Sequence, residues 1–193
     1  MKKSLEERLD LAEKKLQQES FRENKGLGNE VGYYIFDYPP GKELYVRERI
    51  REIIDRNHKL NDEYPIIQFD LYDMIIEILK KKGFLEKCFE FEKKNGFERI
   101  TKAISSMLRI TMADNLIIRH IKENTPEHSI VFITGIGKCY PILRSHTVLN
   151  QLHQIVDYVP VVLFYPGQYN GRELVLFGKI KDDNYYRAFP LVD

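Results

Sequence analysis

Hydrophobic and polar positions follow two different periods along this chain, and their order predicts the elements of the fold. Short apolar runs, rich in aromatic and β-branched residues, predict strands at 33–38, 66–71, 129–134 and 159–165. Apolar residues spaced by three and four predict helices before and between these strands. The run at 159–165 shows little alternation, which indicates a strand that is buried on both faces.

Polar residues predict where several of the helices begin and end. Ser4, with Glu7 three residues later, predicts a capping box at the start of a charged N-terminal helix within residues 1–20. This helix either docks a partner or lies over the core. Asp73 is expected to cap a helix from Met74 to Lys82, which the glycine at position 83 ends.

The order of elements predicts an α/β fold. The segment from 84 to 123 has helical spacing throughout, with a break at Asn95-Gly96, so three or four helices separate the second and third strands. Alternation of strands and helices favours a three-layer sandwich with a mainly parallel sheet and a helical insertion. We predict a single α/β domain over residues 1–193.

The last part of the chain predicts an antiparallel hairpin at the edge of the sheet. Its strands are expected at Glu173–Ile180 and Tyr185–Phe189, with the turn at Lys181–Asn184, where Asp and Asn suit turn backbone. An exposed sheet edge invites a partner to add a strand. The candidate interaction residues of this hairpin are Lys181, Asp182, Asp183, Asn184, Tyr185, Tyr186 and Arg187.

Composition and charge narrow the class of protein. The net charge of +1 supplies no overall field that would attract nucleic acid or an anionic membrane. No apolar run approaches the roughly 20 residues that a membrane span needs. The two cysteines, Cys88 and Cys139, form neither a CxxC pair nor a disulfide framework. Together with an N-terminus that lacks the apolar core of a signal peptide, these features predict a reduced, cytoplasmic location.

The stretch from Ser129 to Asp157 is the strongest candidate for a site, because a buried strand passes through glycines into a helix. Cationic and polar side chains follow the strand and precede the helix, and the helix N-terminus could add to the binding of an anion. The candidate anion or partner contacts are Gly135, Gly137, Lys138, Arg144, Ser145 and His146.

Known nucleotide motifs fail in this stretch. In a P-loop, Gly137-Lys138 would precede Ser or Thr, but Cys139 follows, and Phe132 occupies the position of the first glycine. A dinucleotide fingerprint fails as well, because Tyr140 stands where its third glycine belongs. The glycines are therefore interpreted as a tight turn after a buried strand.

The sequence also contains no complete set of residues for a metal site or for a catalytic nucleophile. His146 and His153 lie seven residues apart, but the neighbouring sequence adds no further ligand, so we predict no metal. Cys139 and His146 are close in sequence, but Pro141 lies between them and nothing fixes the geometry of a nucleophile and its base. We expect no catalytic residues and no cofactor.

Several segments carry a family resemblance, and they span nearly the whole chain. They are Phe36–Pro39, Thr134–His146, Pro160–Gly167, Leu176–Gly178 and Lys181–Phe189. The last segment is the most specific, because a strand pattern does not dictate its sequence. In these segments the chain resembles the BrxB family of BREX phage-defence systems.

This resemblance implies a cytoplasmic bacterial or archaeal protein that works inside a multi-protein restriction assembly. Family members act with a methyltransferase, an AAA-type ATPase and PglZ, a phosphatase-like protein. The family implies no enzyme activity, so the preferred hypothesis is a non-enzymatic scaffold that docks a PglZ-like subunit or other BREX proteins, with DNA contact only within the assembly. The alternative is a degenerate nucleotide-fold protein that binds a nucleotide or nucleic acid at Gly135–His146.

Overall fold

A mixed β-sheet forms the middle layer of the molecule. The computed structural model describes residues 3–24, 32–182 and 187–192. Within these ranges the strands are β1 (Tyr33–Tyr38), β2 (Ile66–Asp70), β3 (Ile130–Thr134), β4 (Val161–Tyr169), β5 (Leu174–Leu176), β6 (Ile180–Asp182) and β7 (Phe189–Pro190). The main path of the sheet runs β2-β3-β4-β1-β7, and each neighbouring pair on it is parallel.

Helices cover both faces of this sheet. They are α1 (Leu5–Leu16), α2 (Glu19–Arg22), α3 (Glu43–Lys59), α4 (Leu71–Lys81), α5 (Leu85–Asn95), α6 (Phe97–Met107), α7 (Leu116–Glu123), α8 (Ile136–Cys139) and α9 (Ser145–Leu152). The predicted three-layer α/β sandwich, with four helices inserted between β2 and β3, is thereby confirmed. No helix in the described ranges is both long and apolar enough to cross a membrane.

Alternation along the strands divides the core into two clusters. In β3, Phe132 packs on one face with α1 and α3, while Val131 and Ile133 pack on the other face with the helices from α4 to α9. All five residues of β3 are buried, because both faces are covered. Burial of these two apolar faces supplies the main favourable free energy of folding.

The N-terminal helix lies over the core instead of projecting from it. The predicted capping box is present: Glu7 N–H donates to Ser4 Oγ at 3.1 Å, and Ser4 N–H donates to Glu7 Oε2 at 2.7 Å. The inward face of α1 buries Leu9, Ala12 and Leu16. The apolar positions that predict this helix are Leu5, Leu9, Leu11, Ala12 and Leu16; most of them face the sheet, but Leu11 is 36% exposed.

The start of α4 differs from the expectation. The helix begins at Leu71, and its cap is Asp70, whose carboxylate accepts hydrogen bonds from the backbone N–H of Tyr72 and of Asp73. Asp73 already lies in the first turn. The prediction of Asp73 as the cap was wrong, because β2 runs directly into α4 and its last residue performs that role.

The antiparallel hairpin near the C-terminus is confirmed, with a different turn. Strands β5 and β6 pair with each other, and β5 pairs with the last residues of β4, from Gly167 to Tyr169. The connection between β5 and β6 is 177–179, so Lys181 and Asp182 lie in β6 and not in the turn. In the described residues the partner of β5 in this hairpin is β6; the last residue of the predicted second strand, Phe189, belongs instead to β7, which pairs in parallel with β1.

Candidate functional site

Asp70 is the residue on which the candidate site is built. It ends β2, and its partner in the parallel ladder is Thr134, the last residue of β3. Carboxyl ends of parallel strands are where α/β proteins commonly place ligands. Here a carboxylate of the chain itself fills the position, 2.7 Å from the ammonium of Lys138 and 3.4 Å from the hydroxyl of Thr134.

Lys138, the cation of the glycine loop, forms an ion pair with a carboxylate of the same chain. Besides the contact with Asp70, its Nζ lies 4.0 Å from Asp73 Oδ1 and 5.2 Å from the centre of the Tyr72 ring. The side chains of Lys138 and Asp70 are only 25% and 19% exposed, so the pair is screened less than a surface pair. An anionic ligand would therefore have to displace Asp70 before it could reach this lysine.

The two glycines of the loop allow close approach of neighbouring segments. Gly135 has a φ of +78°, and a Cβ there would lie 2.5 Å from Asp70 Oδ1. A Cβ on Gly137 would lie 2.8 Å from Cγ of Pro166 and 3.0 Å from Cε1 of Phe177. Gly135 therefore makes room for the capping carboxylate, and Gly137 makes room for β4 and the hairpin turn.

The remaining candidates lie at the start of α9, away from the carboxylate. Arg144 is exposed at the N-cap position, Ser145 is buried, and His146 is half-buried. Arg144 and Ser145 line a cavity of about 10 Å³ together with Tyr165 and hairpin residues, whereas Lys138 lines a separate cleft. The structure therefore divides the predicted cluster between two places.

The hairpin candidates can be placed only in part. Lys181 is exposed in β6, where its Nζ lies 3.0 Å from Glu173 Oε1, and Asp182 ends that strand. Arg187 is exposed in the segment before β7. Asp183, Asn184, Tyr185 and Tyr186 lie outside the described residues.

Cys139 has the environment of a structural thiol and not of a nucleophile. It is 1% exposed. Burial raises the pKa of Cys139 to about 12, and nearby Asp70 adds to the rise while Lys138 opposes it. The thiol is therefore protonated near neutral pH, and a protonated thiol is a poor nucleophile. The pKa of Cys88 is also raised by burial.

Among the described residues, no group of three or more His, Cys, Asp and Glu side chains lies close enough together to hold a metal ion. His153, one of the two histidines considered from sequence, stacks on the ring of Tyr33 with 3.7 Å between the ring centroids. Its environment is thus that of a packed ring beside an aromatic partner.

A larger cleft, which the sequence reasoning missed, runs along the outer edge of β2. It has a volume of about 600 Å³ and lies between α3 on one side and α4 and α7 on the other. Its lining residues are Arg47, Arg51, Gln68, Phe69, Asp70, Asp73, Met74, Glu77, His120, Asn124 and Lys138. Two local features could have indicated this cleft: the polar Gln68 within an apolar strand, and Arg47 and Arg51, which are four residues apart on α3. The position of β2 at the edge of the sheet, however, follows from the strand order, which local sequence does not reveal.

Fold and site together define a class: a three-layer α/β protein in which a carboxylate of the chain pairs with the lysine of the glycine loop after β3, and in which a cleft of about 600 Å³ follows a sheet edge. The family model of "BREX protein BrxB" matches residues 67–191. A relative with that name from Bacillus cereus (strain H3081.97) is 51% identical over 189 residues, which are 98% of each chain. A second, from Escherichia coli O9:H4 (strain HS), is 31% identical over 97% of this chain and 92% of its own.

The chain belongs to the BrxB family and is thereby a component of a BREX defence system. The resemblance found in the sequence is confirmed. No solved structure matches this protein.

Proposed function

We propose that this protein is a non-enzymatic binding component of a BREX anti-phage assembly, a scaffold that docks a PglZ-like subunit and other subunits of the system. It acts in the cytoplasm, and it meets DNA only within the assembly. The observation that carries this proposal is the pairing of Lys138 with Asp70. In this pair a carboxylate of the chain itself occupies the lysine for which the sequence suggested an anion contact.

The thiol supports the same proposal. Cys139 is the residue that would serve as a nucleophile in the candidate loop, and its buried, protonated state leaves it unreactive near neutral pH. The loop therefore serves as a rigid part of the scaffold, and binding falls to the surfaces around it.

The alternative of a nucleotide site at Gly135–His146 finds less support. The cavity at Arg144 and Ser145, at about 10 Å³, is no larger than the space of a single water. The other cation of the stretch, Lys138, is held by a carboxylate. A phosphate would require both groups to be rearranged.

Co-purification tests the proposal. The chain, affinity-tagged, is produced in cells together with all other products of its defence locus, and we expect the PglZ-like subunit to be recovered with it. The same cells with the tag on an unrelated protein of similar size give the control. Recovery of no locus product would contradict the scaffold role.

Calorimetry on the purified chain separates the two functions. We expect no heat from ATP, GTP or short DNA at millimolar ligand. Saturable heat that disappears in Lys138→Met would support the nucleotide alternative instead.

A further inference from the structure

The outer edge of β2 presents backbone groups that have no strand beside them in the described chain. Ile130 N–H donates to the carbonyl of Pro65 at 3.0 Å. Because alternate residues of a parallel strand bond to one neighbour, residues 65, 67 and 69 face β3, and residues 66, 68 and 70 face outward.

Only the first part of this edge is covered. The buried side chain of Asn57 in α3 makes the two hydrogen bonds that a neighbouring strand would make there. Its Oδ1 accepts from Ile66 N–H at 2.9 Å, and its Nδ2 donates to the carbonyl of Tyr64 at 3.1 Å. The next outward N–H belongs to Gln68, and no described residue accepts from it. The open part of the edge therefore begins at Gln68 and forms the floor of the cleft of about 600 Å³.

The two walls of this cleft carry opposite charges. On the α3 side stand Arg47 and Arg51, and Arg51 has no ion pair among the described residues, while Arg47 pairs with Glu43 on its own helix. On the α4 side stand Asp73 and Glu77, whose side chains are 75% and 53% exposed; Glu77 pairs with Lys81 of its own helix at 2.6 Å, and Asp73 lies 4.0 Å from Lys138. A strand that added to β2 would direct successive side chains alternately toward these two walls.

We propose that the β2 edge cleft receives an extended segment of another protein, which pairs with β2 and carries acidic side chains toward α3 and basic side chains toward α4. In sequence such a segment alternates acidic and basic residues. This inference rests on the proposed binding function and names the surface and the chemistry of one partner segment.

A second copy of this chain fits the cleft less well. If β2 paired with β2 of another molecule, the added strand would be Ile66–Asp70, which contains no lysine or arginine to meet Asp73 and Glu77. Opposite charges on opposite walls thus favour a different protein.

Two substitutions at one position test the backbone pairing. Gln68→Pro removes the outward N–H and leaves the bonds to β3, and edge strands tolerate proline where the N–H faces solvent. Gln68→Ala keeps that N–H and loses only the side chain, which donates to Thr134 Oγ1 at 3.0 Å. Each variant is tagged and co-expressed with the other products of the locus, and we expect Gln68→Pro to recover at least tenfold less of one partner than Gln68→Ala.

Charge reversals test the alternation. Arg51→Glu and Glu77→Lys each change one wall, and each should reduce recovery of the same partner several-fold. Lys102→Glu is the control, since Lys102 lies on α6 outside the cleft. Overlapping peptides of the captured partner, assayed for binding to the purified chain, should then identify a segment of alternating acidic and basic residues.

The outcomes separate this inference from the proposed function. If the unmodified chain recovers its partners and Gln68→Pro recovers them equally, the cleft is not the docking site, although the scaffold role stands. A bound peptide without alternating charge, or a dimer of the chain that Gln68→Pro abolishes, would also overturn the inference. Should Gln68→Pro fail to fold, hydrogen exchange decides: the Gln68 amide of the unmodified chain must be protected by the partner.

Discussion

At the scale of single residues, Asp70 joins three parts of the fold with one carboxylate. Its Oδ1 accepts from two backbone N–H groups at the start of α4, and its Oδ2 pairs with Lys138. The same Oδ1 lies against Gly135, where a Cβ would approach to 2.5 Å. Substitution at this position therefore affects a helix cap and an ion pair together.

Replacing Asp70 separates these two contributions. We expect Asp70→Ala to lower the free energy of unfolding by about 2 kcal/mol, since a lost N-cap costs about 1 kcal/mol and the unpaired Lys138 adds to that. Asp70→Asn retains a good cap and should lose about half as much. Urea denaturation measures both.

Asp73→Ala is the control for this series. Its side chain is 75% exposed, so a change below about 0.5 kcal/mol is expected. A loss in Asp73→Ala as large as in Asp70→Ala would show that the cap had been assigned to the wrong carboxylate.

The two aspartates also show what a sequence window can predict. Asp70 and Asp73 both precede the same apolar helical stripe, and both are good capping residues. Two features distinguish them: Asp70 is the last residue of β2, and its carboxylate lies 2.7 Å from Lys138, a residue far along the chain. Neither is visible in local spacing, so the helix was predicted and its first residue was not.

At the scale of elements, α1 is attached to the sheet by a buried stripe and by ion pairs at its margin. Arg8 lies 2.6 Å from Asp37 of β1, Arg49 lies 2.9 Å from Asp10, and Arg56 lies 2.7 Å from Glu13. The pairs of Arg49 and Arg56 each include a well-exposed side chain and contribute little on their own, whereas Arg8 and Asp37 are only 19% and 25% exposed. The apolar stripe should therefore provide most of the attachment.

A pair of leucines tests the attachment of α1. Leu9 is fully buried, whereas Leu11 is 36% exposed. We expect Leu9→Ala to lower the free energy of unfolding by about 2–5 kcal/mol and Leu11→Ala by less than about 1 kcal/mol. Thermal or urea unfolding gives both values. Equal, small effects would mean that α1 contributes little to the core.

Elements were predictable where local chemistry determines them. The spacing of Ser4 and Glu7 was enough for the capping box, and apolar runs were enough for β1 to β4. The hairpin turn was not predictable, because turn composition favoured Lys181–Asn184. In the structure the residues that turn are Phe177, with a φ of +56°, and Gly178, with a φ of +68°.

The position of Phe177 explains that difference. Its backbone N–H donates to the carbonyl of Pro166 at 2.9 Å, so pairing with β4 fixes where the hairpin reverses. Large residues rarely adopt a positive φ. Rules based on turn composition therefore do not predict this turn. The β2 edge cleft was missed for a similar reason, because strand order depends on contacts between distant segments.

At the scale of the whole molecule, burial of His153 couples stability to pH. The imidazole stacks on Tyr33, and its Nε2 is buried with no hydrogen-bond partner. Burial lowers the pKa of His153 most, the charge of Arg187 lowers it further, and a hydrogen bond with the backbone of Arg187 opposes the shift. The folded state therefore favours the neutral ring.

The sign of the effect follows from that lowered pKa. As the pH falls through the ordinary histidine pKa of about 6.5, the unfolded chain takes up a proton before the folded chain does, so the free energy of unfolding decreases. We expect His153→Phe, which keeps a ring against Tyr33, to be less sensitive between pH 7 and 5.5. Melting temperatures across this range measure the slope, and an unchanged slope would assign the effect to other groups.

We also predicted a single domain over residues 1–193, which unfolding can address. Both helical layers pack on the same sheet, since the two core clusters share strands β1 to β4. A single cooperative transition is therefore expected, the same when followed by tyrosine fluorescence and by circular dichroism.

Strand order also has a consequence for synthesis of the chain. The first strand made, β1, pairs with β4 and β7 and with no other described strand, so the backbone groups of residues 33–38 cannot join the sheet until residues 161–166 have left the ribosome. Until then, helices α1 and α3 lack the β4 residues that pack against them in the folded chain, Val162 and Phe164. We therefore expect a nascent chain of this protein to expose apolar surface until β4 has been made, and such surface favours aggregation.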